Sequence, residues 1–319
     1  MPPRLPSPPE PGNHHYIREH PMKAVQFTSF GGPDVLHLID VEIPQPGTGE
    51  ILVRVAGAGV NRLDTKIRSG AMPPGRQAPF PLGTGVDAAG TVTGIGPGVD
   101  DVTVGDIVFG TGRNTMAEQA ILTHWAKVPD GVDPVEAGGW GVATETAGRL
   151  LTELGLDEGV LLVSGASGGV GSAVLQFAVA RGLTVIGTAS AKNHDYLARL
   201  GAIPLSYGEG LVDRVSTVAP SGIDGALDVS GAGVIPELVA LVGDPAGVIS
   251  IADFAAPTHG ARVSTGATRT TEPRDGFAEA TALPHFALDV ERRFALDDIA
   301  DAHRHAEKGH TVGKLVVTP

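Results

Sequence analysis

The chain contains no cysteine. That excludes disulfides, thiolate-ligated zinc and a cysteine nucleophile, and it fits a cytoplasmic location. Aromatic residues make up only 4% of the 319 residues, so a flat ligand must be held mostly by aliphatic side chains and backbone. Positive charge is also short: 23 Lys and Arg stand against 36 Asp and Glu, a formal net charge of −13. There is no Lys/Arg-rich run, which argues against a nucleic-acid partner. No apolar run is long and uninterrupted enough to cross a bilayer, so no membrane partner is expected. None of the 11 histidines falls into a ligand spacing such as HExxH, and His303 and His305 would diverge on a helix. A G-x-S-x-G elbow for a serine hydrolase is missing too.

What is plentiful is apolar residue content, at 42%, together with 45 Gly and 25 Pro. This is enough for a core and for many turns, and the length suits two domains. Residues 1–21 are Pro-rich and lack an apolar segment of the secretory kind, so they are expected to form a disordered leader. From Lys23 to about Val128, short β-branched runs such as KAVQF, EILVRVAGAGV and GDIVFG are punctuated by Gly and Pro. That pattern predicts a compact, mostly antiparallel β unit, a sandwich or a barrel. Pro134 to Leu154 reads as helical, with Asp133 as its cap and Pro134 at its first position. Strand and helix then alternate: LLVSG before a helix at Gly169–Arg181, LTVIGTAS before one at His194–Leu200, IPLSY before Gly208–Val218, GALDVS before Val234–Val242, and finally GVISIA. Five apolar strands separated by helices predict a doubly wound parallel sheet. After Ser264 the chain turns polar, then closes with a helix near Leu296–Lys308 and the strand KLVVT. The stretch Thr258–Pro284 carries no clear pattern.

The sharpest motif is VLLVSGASGGVGSAVLQFAVARG, Val160 to Gly182. Ala166-x-Gly168-x-x-Gly171 is a dinucleotide fingerprint with Ala at its first position. A small residue permits the turn, Gly168 lets backbone approach a pyrophosphate, and Gly171 lets the helix pack on the strand. The helix N-terminus offers N–H groups and partial positive charge to the anion, so no basic side chain is required. Ser167, Gly169 and Val170 complete this cofactor turn. After the second strand, NAD binders usually carry an acidic residue for the ribose 2′-hydroxyl. Here stand Ser190, Lys192 and Asn193, which suit a 2′-phosphate and favour NADPH.

From Met22 to the end, the chain resembles the medium-chain dehydrogenase/reductase superfamily in its zinc-free quinone oxidoreductase branch. The resemblance rests on GVNRLDTKIRSG, PLGTGVDAAGTVTGIGPGV, GDIVFG, GASGGVG, DVSG and GHTVGKLVVTP. It implies an α/β fold with a GroES-like β domain (22–140 and 283–319) and a Rossmann NADP-binding domain (141–282). Relative to the zinc enzymes of that superfamily, Asn61 stands where a cysteine ligand would be, and Val86 of Gly85-Val86-Asp87 where a histidine ligand would be. No zinc is therefore expected. The resemblance implies NADPH as cofactor, a quinone or an alkene conjugated to a carbonyl as small-molecule acceptor, and a homodimer formed through Rossmann sheet edges. By resemblance, Asn61 and Thr146 are the candidate catalytic residues near the nicotinamide, Thr146 within Thr144-Glu145-Thr146-Ala147. Tyr207 would join the 2′-phosphate site, and Ser230 and Ile251 would line the cofactor from the fourth and fifth strands. Lys66 and Met72 stand where quinone reductases of this type often carry tyrosines. Two alternatives remain open: an enoyl-thioester reductase, and an NADPH-binding protein with little turnover.

Overall fold

The computed structural model describes residues 21–71, 79–267 and 269–319. The leader up to residue 20 and Met72 lie outside them. Strands β1 (Met22–Phe27), β2 (His37–Val41) and β3 (Ile51–Val60) open the chain, followed by helix α1 (Arg62–Ser69). Then come β4 (Leu82–Gly83), β5 (Asp87–Ile95), β6 (Ile107–Arg113) and β7 (Gln119–Lys127). The order β14-β15-β3-β5-β6-β7 forms one six-stranded sheet once β14 (Val290–Ala295) and β15 (Lys314–Thr318) return from the far end of the chain. Because β3 also pairs with β7, the sheet curls back on itself. A smaller sheet, β2-β1-β4, lies beside it. The ten-residue β3, ILVRVAGAGV, is almost wholly buried because it is paired along both edges. Its side chains join Phe27, Val92, Val108 and Trp125 in one core.

Helices α2 (Pro134–Ala137) and α3 (Gly141–Leu154) lead into the second half. There β8 (Val160–Ser164), α4 (Gly169–Ala180), β9 (Thr184–Ala189), α5 (His194–Arg199), β10 (Ile203–Ser206), α6 (Leu211–Val218), β11 (Gly225–Asp228), α7 (Ile235–Val242) and β12 (Val248–Ser250) alternate. With β13 (Arg262–Val263) they build a parallel sheet ordered β10-β9-β8-β11-β12-β13. Continuous apolar strands such as VLLVS and VIS are what a sheet covered on both faces requires. Helix α8 (Pro273–Ala282) packs on α3, and α9 (Ile299–Lys308) lies against α1 and β15.

Three features depart from the sequence reading. The helical stretch Pro134–Leu154 is two helices, because the chain turns through Gly138 and Gly139 to pass close to β3. The stretch Thr258–Pro284 holds β13 and the whole of α8, which a reciprocal Glu272/Asp275 cap and Pro273 start. The strand-like first half contains α1, whose start is fixed by a reciprocal Asn61/Asp64 cap and whose end is a left-handed Gly70.

Candidate active site

The fingerprint turn lies where the sequence places it, between β8 and α4. Gly168 is the N-cap of α4, and among the described residues no side chain caps the helix, so its first-turn N–H groups have no side-chain partner there. A Cβ on Gly171 would stand 2.4 Å from the Gly165 carbonyl oxygen, so only glycine lets α4 start this close to β8. A Cβ on Gly168 would meet nothing nearer than 3.7 Å. The space over Gly168 is open, which is what the approach of a diphosphate needs. Ala166 is fully buried, its N–H bonded to the Thr188 carbonyl at 3.1 Å. Val170 is half-buried on the first turn of α4. These residues fit a dinucleotide.

Ser190 follows β9, and Tyr207 follows β10, and these strands are neighbours in register (Ser206 opposite Ala189). The structure therefore brings Ser190, the exposed Lys192 and the half-exposed Tyr207 to one corner of the sheet's carboxyl edge. Arg214 holds the Tyr207 loop by donating to the carbonyls of Ser206, Gly208 and Glu209. Asn193 differs: it is buried, and its amide donates inward to the Ser167 hydroxyl at 3.4 Å. It braces the turn rather than facing outward with Lys192. Ser230 shares a 3.0 Å hydrogen bond with Ser164 and donates to the buried Asp228 at 2.8 Å. Asp228 also accepts from Ser250, so this carboxylate and Ser230 tie β8, β11 and β12 together at their carboxyl ends. Ile251 follows β12, half-buried.

Asn61 lies at the N-terminus of α1, between β3 and the fingerprint. Its side-chain amide donates to Asp87 Oδ2 at 2.9 Å and its Oδ1 accepts from Lys314 Nζ at 2.7 Å. Lys314 also donates to Asp87 Oδ2 at 3.0 Å. Asp87 Oδ1 accepts the Val142 N–H, at the N-terminus of α3, at 2.6 Å. The Asp87 side chain is 0% and the Lys314 side chain 5% exposed. Lys314 reaches this point by running beside Gly169, while the preceding Gly313 donates its N–H to the Ser167 carbonyl at 2.8 Å. One lysine thus joins the fingerprint turn to Asn61. Val86 is half-buried on the strand lead-in to Asp87. Among the described residues, no three His, Asp or Glu side chains converge as a metal site.

Asp64 is fully buried under Asn61. Burial pushes its carboxyl up to about 7, against the stabilising Asn61 N–H that it accepts at 2.8 Å, and nearby Asp87 adds to the rise. Thr146 lies one turn beyond Val142 on α3, and its hydroxyl donates to Glu145 at 3.0 Å. Arg149 grips the same Glu145 at 2.8 Å and also donates to Ser264 beyond β13. Lys314, Asp87, Glu145 and Arg149 were not singled out as site residues in the sequence. The available signal was the rarity of burying such charges unpaired: Lys314 sits inside the apolar strand KLVVT, and Glu145 and Arg149 stand one turn apart among the buried residues of α3.

Comparison with known proteins agrees with this architecture. Residues 47–148 match the alcohol dehydrogenase GroES-like domain, and residues 206–317 match the zinc-binding dehydrogenase family. The chain is 30% identical to human quinone oxidoreductase over 276 residues, covering 82% of this chain and 79% of that protein. It is 28% identical to the chloroplastic NADPH-dependent alkenal/one oxidoreductase of Arabidopsis thaliana over 319 residues, 93% of this chain and 80% of the relative. The match to the synaptic vesicle membrane protein VAT-1 homolog of Rattus norvegicus, 34% identical over 221 residues, takes in 66% of this chain and only 54% of the relative's length. The fold superposes on the Escherichia coli quinone oxidoreductase complexed with NADPH with a TM-score of 0.76 at 25% identity, over 93% of this chain and all of that one (100%). With both domain families matched, and with a human relative aligned over most of both lengths, the chain belongs to the medium-chain dehydrogenase/reductase superfamily, in its quinone oxidoreductase-like branch.

Proposed function

We propose that the protein is an NADPH-dependent oxidoreductase that transfers hydride to a quinone or to an alkene conjugated to a carbonyl, without a zinc ion. The observation that carries this reading is the physical continuity of the site. The open, uncapped α4 turn and the Asn61 amide are joined by Gly313 and Lys314. The names of two relatives, a quinone oxidoreductase and an NADPH-dependent alkenal/one oxidoreductase, support the same chemistry.

Within this reading, the α4 N-terminus holds the diphosphate, while Ser190, Lys192 and Tyr207 take the 2′-phosphate. Bound NADPH supplies the hydride. Asn61, its amide fixed at both ends by Asp87 and Lys314, orients the acceptor beside the nicotinamide. Thr146, held by Glu145, positions the nicotinamide ring. Acceptors that carry their own electron sink need no Lewis acid, which suits Asn61 and Val86 at the places of metal ligands in the zinc enzymes. We take residues 22–140 with 283–319 as the catalytic domain and 141–282 as the cofactor domain. The open Rossmann edges, β10 and β13, offer pairing surfaces for a homodimer.

The test is consumption of NADPH and of NADH by purified protein against a panel of quinones and conjugated enones. NADPH-preferring turnover is expected. Tight NADPH binding with no acceptor reduced overturns the assignment in favour of a binding protein.

A further inference from the structure

Helix α1 begins directly after Asn61 and carries Arg62 and Lys66 one turn apart, with Lys66 reaching the loop after β12. Among the described residues, neither forms an ion pair. Lys66 is half-buried, and its Nζ stands 5.1 Å from the ring centroid of Phe254. Phe254 belongs to the loop after β12, at the ligand-binding edge of the parallel sheet, and 51% of it is exposed. An ammonium from the helix that follows Asn61 and a ring from the loop after β12 therefore lie against each other.

This arrangement carries a free-energy penalty in the unliganded protein. Burial lowers the Lys66 ammonium below its ordinary value, and Arg62 lowers it further. Like charges one turn apart on a helix repel. An anion between them relieves both effects, and the Phe254 ring adds a flat apolar wall beside it.

We propose that Arg62 and Lys66 select acceptors bearing an anionic oxygen group, a carboxylate or a phosphate, at the end remote from the conjugated alkene. This inference rests on the oxidoreductase reading and narrows its substrate class. Quinones, which lack such a group, become poor acceptors. Conjugated carbonyls with an acidic tail become good ones, and the Phe254 wall packs the carbon chain between tail and alkene.

Initial rates at saturating NADPH test the idea with three acceptors: a 2-alkenal ending in a carboxylate, its methyl ester, and 2-butenoyl-coenzyme A. A hydrogen-bonded charge pair supports about a tenfold preference, about 1.4 kcal/mol. The carboxylate should therefore exceed its ester about tenfold in kcat/KM, mostly through KM, and the advantage should shrink with added salt. Lys66→Met keeps the stem against Phe254, and it should reduce the carboxylate-to-ester ratio toward unity. Arg62→Gln, at an exposed position, should reduce it in part. Preference for the coenzyme A thioester identifies phosphate as the tail; preference for the carboxylated alkenal identifies carboxylate. Equal use of acid and ester, or a Lys66→Met effect confined to the KM for NADPH, overturns the inference while the oxidoreductase reading stands. Failure to reduce any of the three overturns the inference, and the oxidoreductase reading falls with it only if quinones are not reduced either.

Discussion

Replacing Lys314 by Met should separate the two tasks assigned to this side chain. Met fills a similar volume beside Gly169, so the change removes charge more than packing. It strands Asp87, which is 0% exposed. Removing one partner of a buried ion pair costs about 3–5 kcal/mol, because the remaining charge stays desolvated. Asp87 keeps the Val142 N–H at 2.6 Å and the Asn61 amide at 2.9 Å. Those two bonds place the expectation at the lower end, about 3 kcal/mol. Urea unfolding followed by circular dichroism should show the midpoint falling with an unchanged slope. The double variant Lys314→Met/Asp87→Asn no longer buries a charge and should recover part of the loss. A single variant within about 0.5 kcal/mol of wild type, the range of ordinary surface substitutions, refutes the view that this pair is a buried linchpin. So does a double variant no more stable than the single.

The same substitution has a functional readout. Asn61 Oδ1 accepts from Lys314 at 2.7 Å, while its amide nitrogen donates to Asp87 and, at 3.4 Å, to the Gly59 carbonyl. Without Lys314 the carboxamide loses the contact that fixes its acceptor end. Turnover should fall even in the fraction of protein that stays folded, and NADPH affinity should weaken with it. Full activity in a folded Lys314→Met protein refutes the assignment of Asn61 orientation to Lys314.

Other expectations follow from single positions. Gly171→Ala drives a Cβ to 2.4 Å from the Gly165 carbonyl and should abolish soluble folded protein, whereas Gly168→Ala, with 3.7 Å of clearance, should fold normally yet bind NADPH about tenfold or more weakly by calorimetry. Asp64 titrates near 3.8 when unfolded and near about 7 when folded, so the unfolded chain releases its proton first and stability should decline as pH rises from about 4 to about 7. The full difference is worth about 4 kcal/mol above that window and vanishes below it; Asp64→Asn should flatten this slope in urea midpoints measured across the range. Ser190→Asp puts a carboxylate beside the 2′-phosphate corner and should shift the NADPH-to-NADH ratio of kcat/KM toward NADH by about tenfold or more; an unchanged ratio would remove Ser190 from that corner.

The Gly-rich turn before α4 was legible in the sequence because each of its residues answers to a local constraint. Gly171 packs against its own preceding turn and Gly168 caps its own helix, so spacing alone exposes them. The strands of the parallel sheet were legible for a similar reason: strands covered on both faces read as plain apolar runs. Helix α1 was not, since only Leu63 and Ile67 mark its apolar side and its start depends on the Asn61/Asp64 cap. Helix α8 was hidden by Gly276, a poor helix residue that is needed because a Cβ there would stand 2.3 Å from the Thr144 carbonyl of α3. The charged part of the site was the least legible. Lys314 meets Asn61 across 253 residues and Asp87 across 227, and no window of sequence contains those pairs.

That long-range assembly bears on how the protein works. Asn61 comes from the end of β3, Asp87 from the start of β5, Val142 from the first turn of α3, and Lys314 from the start of β15. The strand that carries Lys314 pairs with β3 and also touches the fingerprint turn through Gly313. A ligand on the α4 turn therefore presses on the same strand that fixes Asn61. Binding to the folded state alone stabilises it by mass action, and here the gain is shared by both sheets because Gly313 and Lys314 bridge them. NADPH should raise the unfolding midpoint of the catalytic sheet as much as that of the parallel sheet, seen as equal protection of β3 and β8 amides in hydrogen exchange. Protection confined to β8 would show that the bridge carries no coupling and that Asn61 is oriented independently of the cofactor.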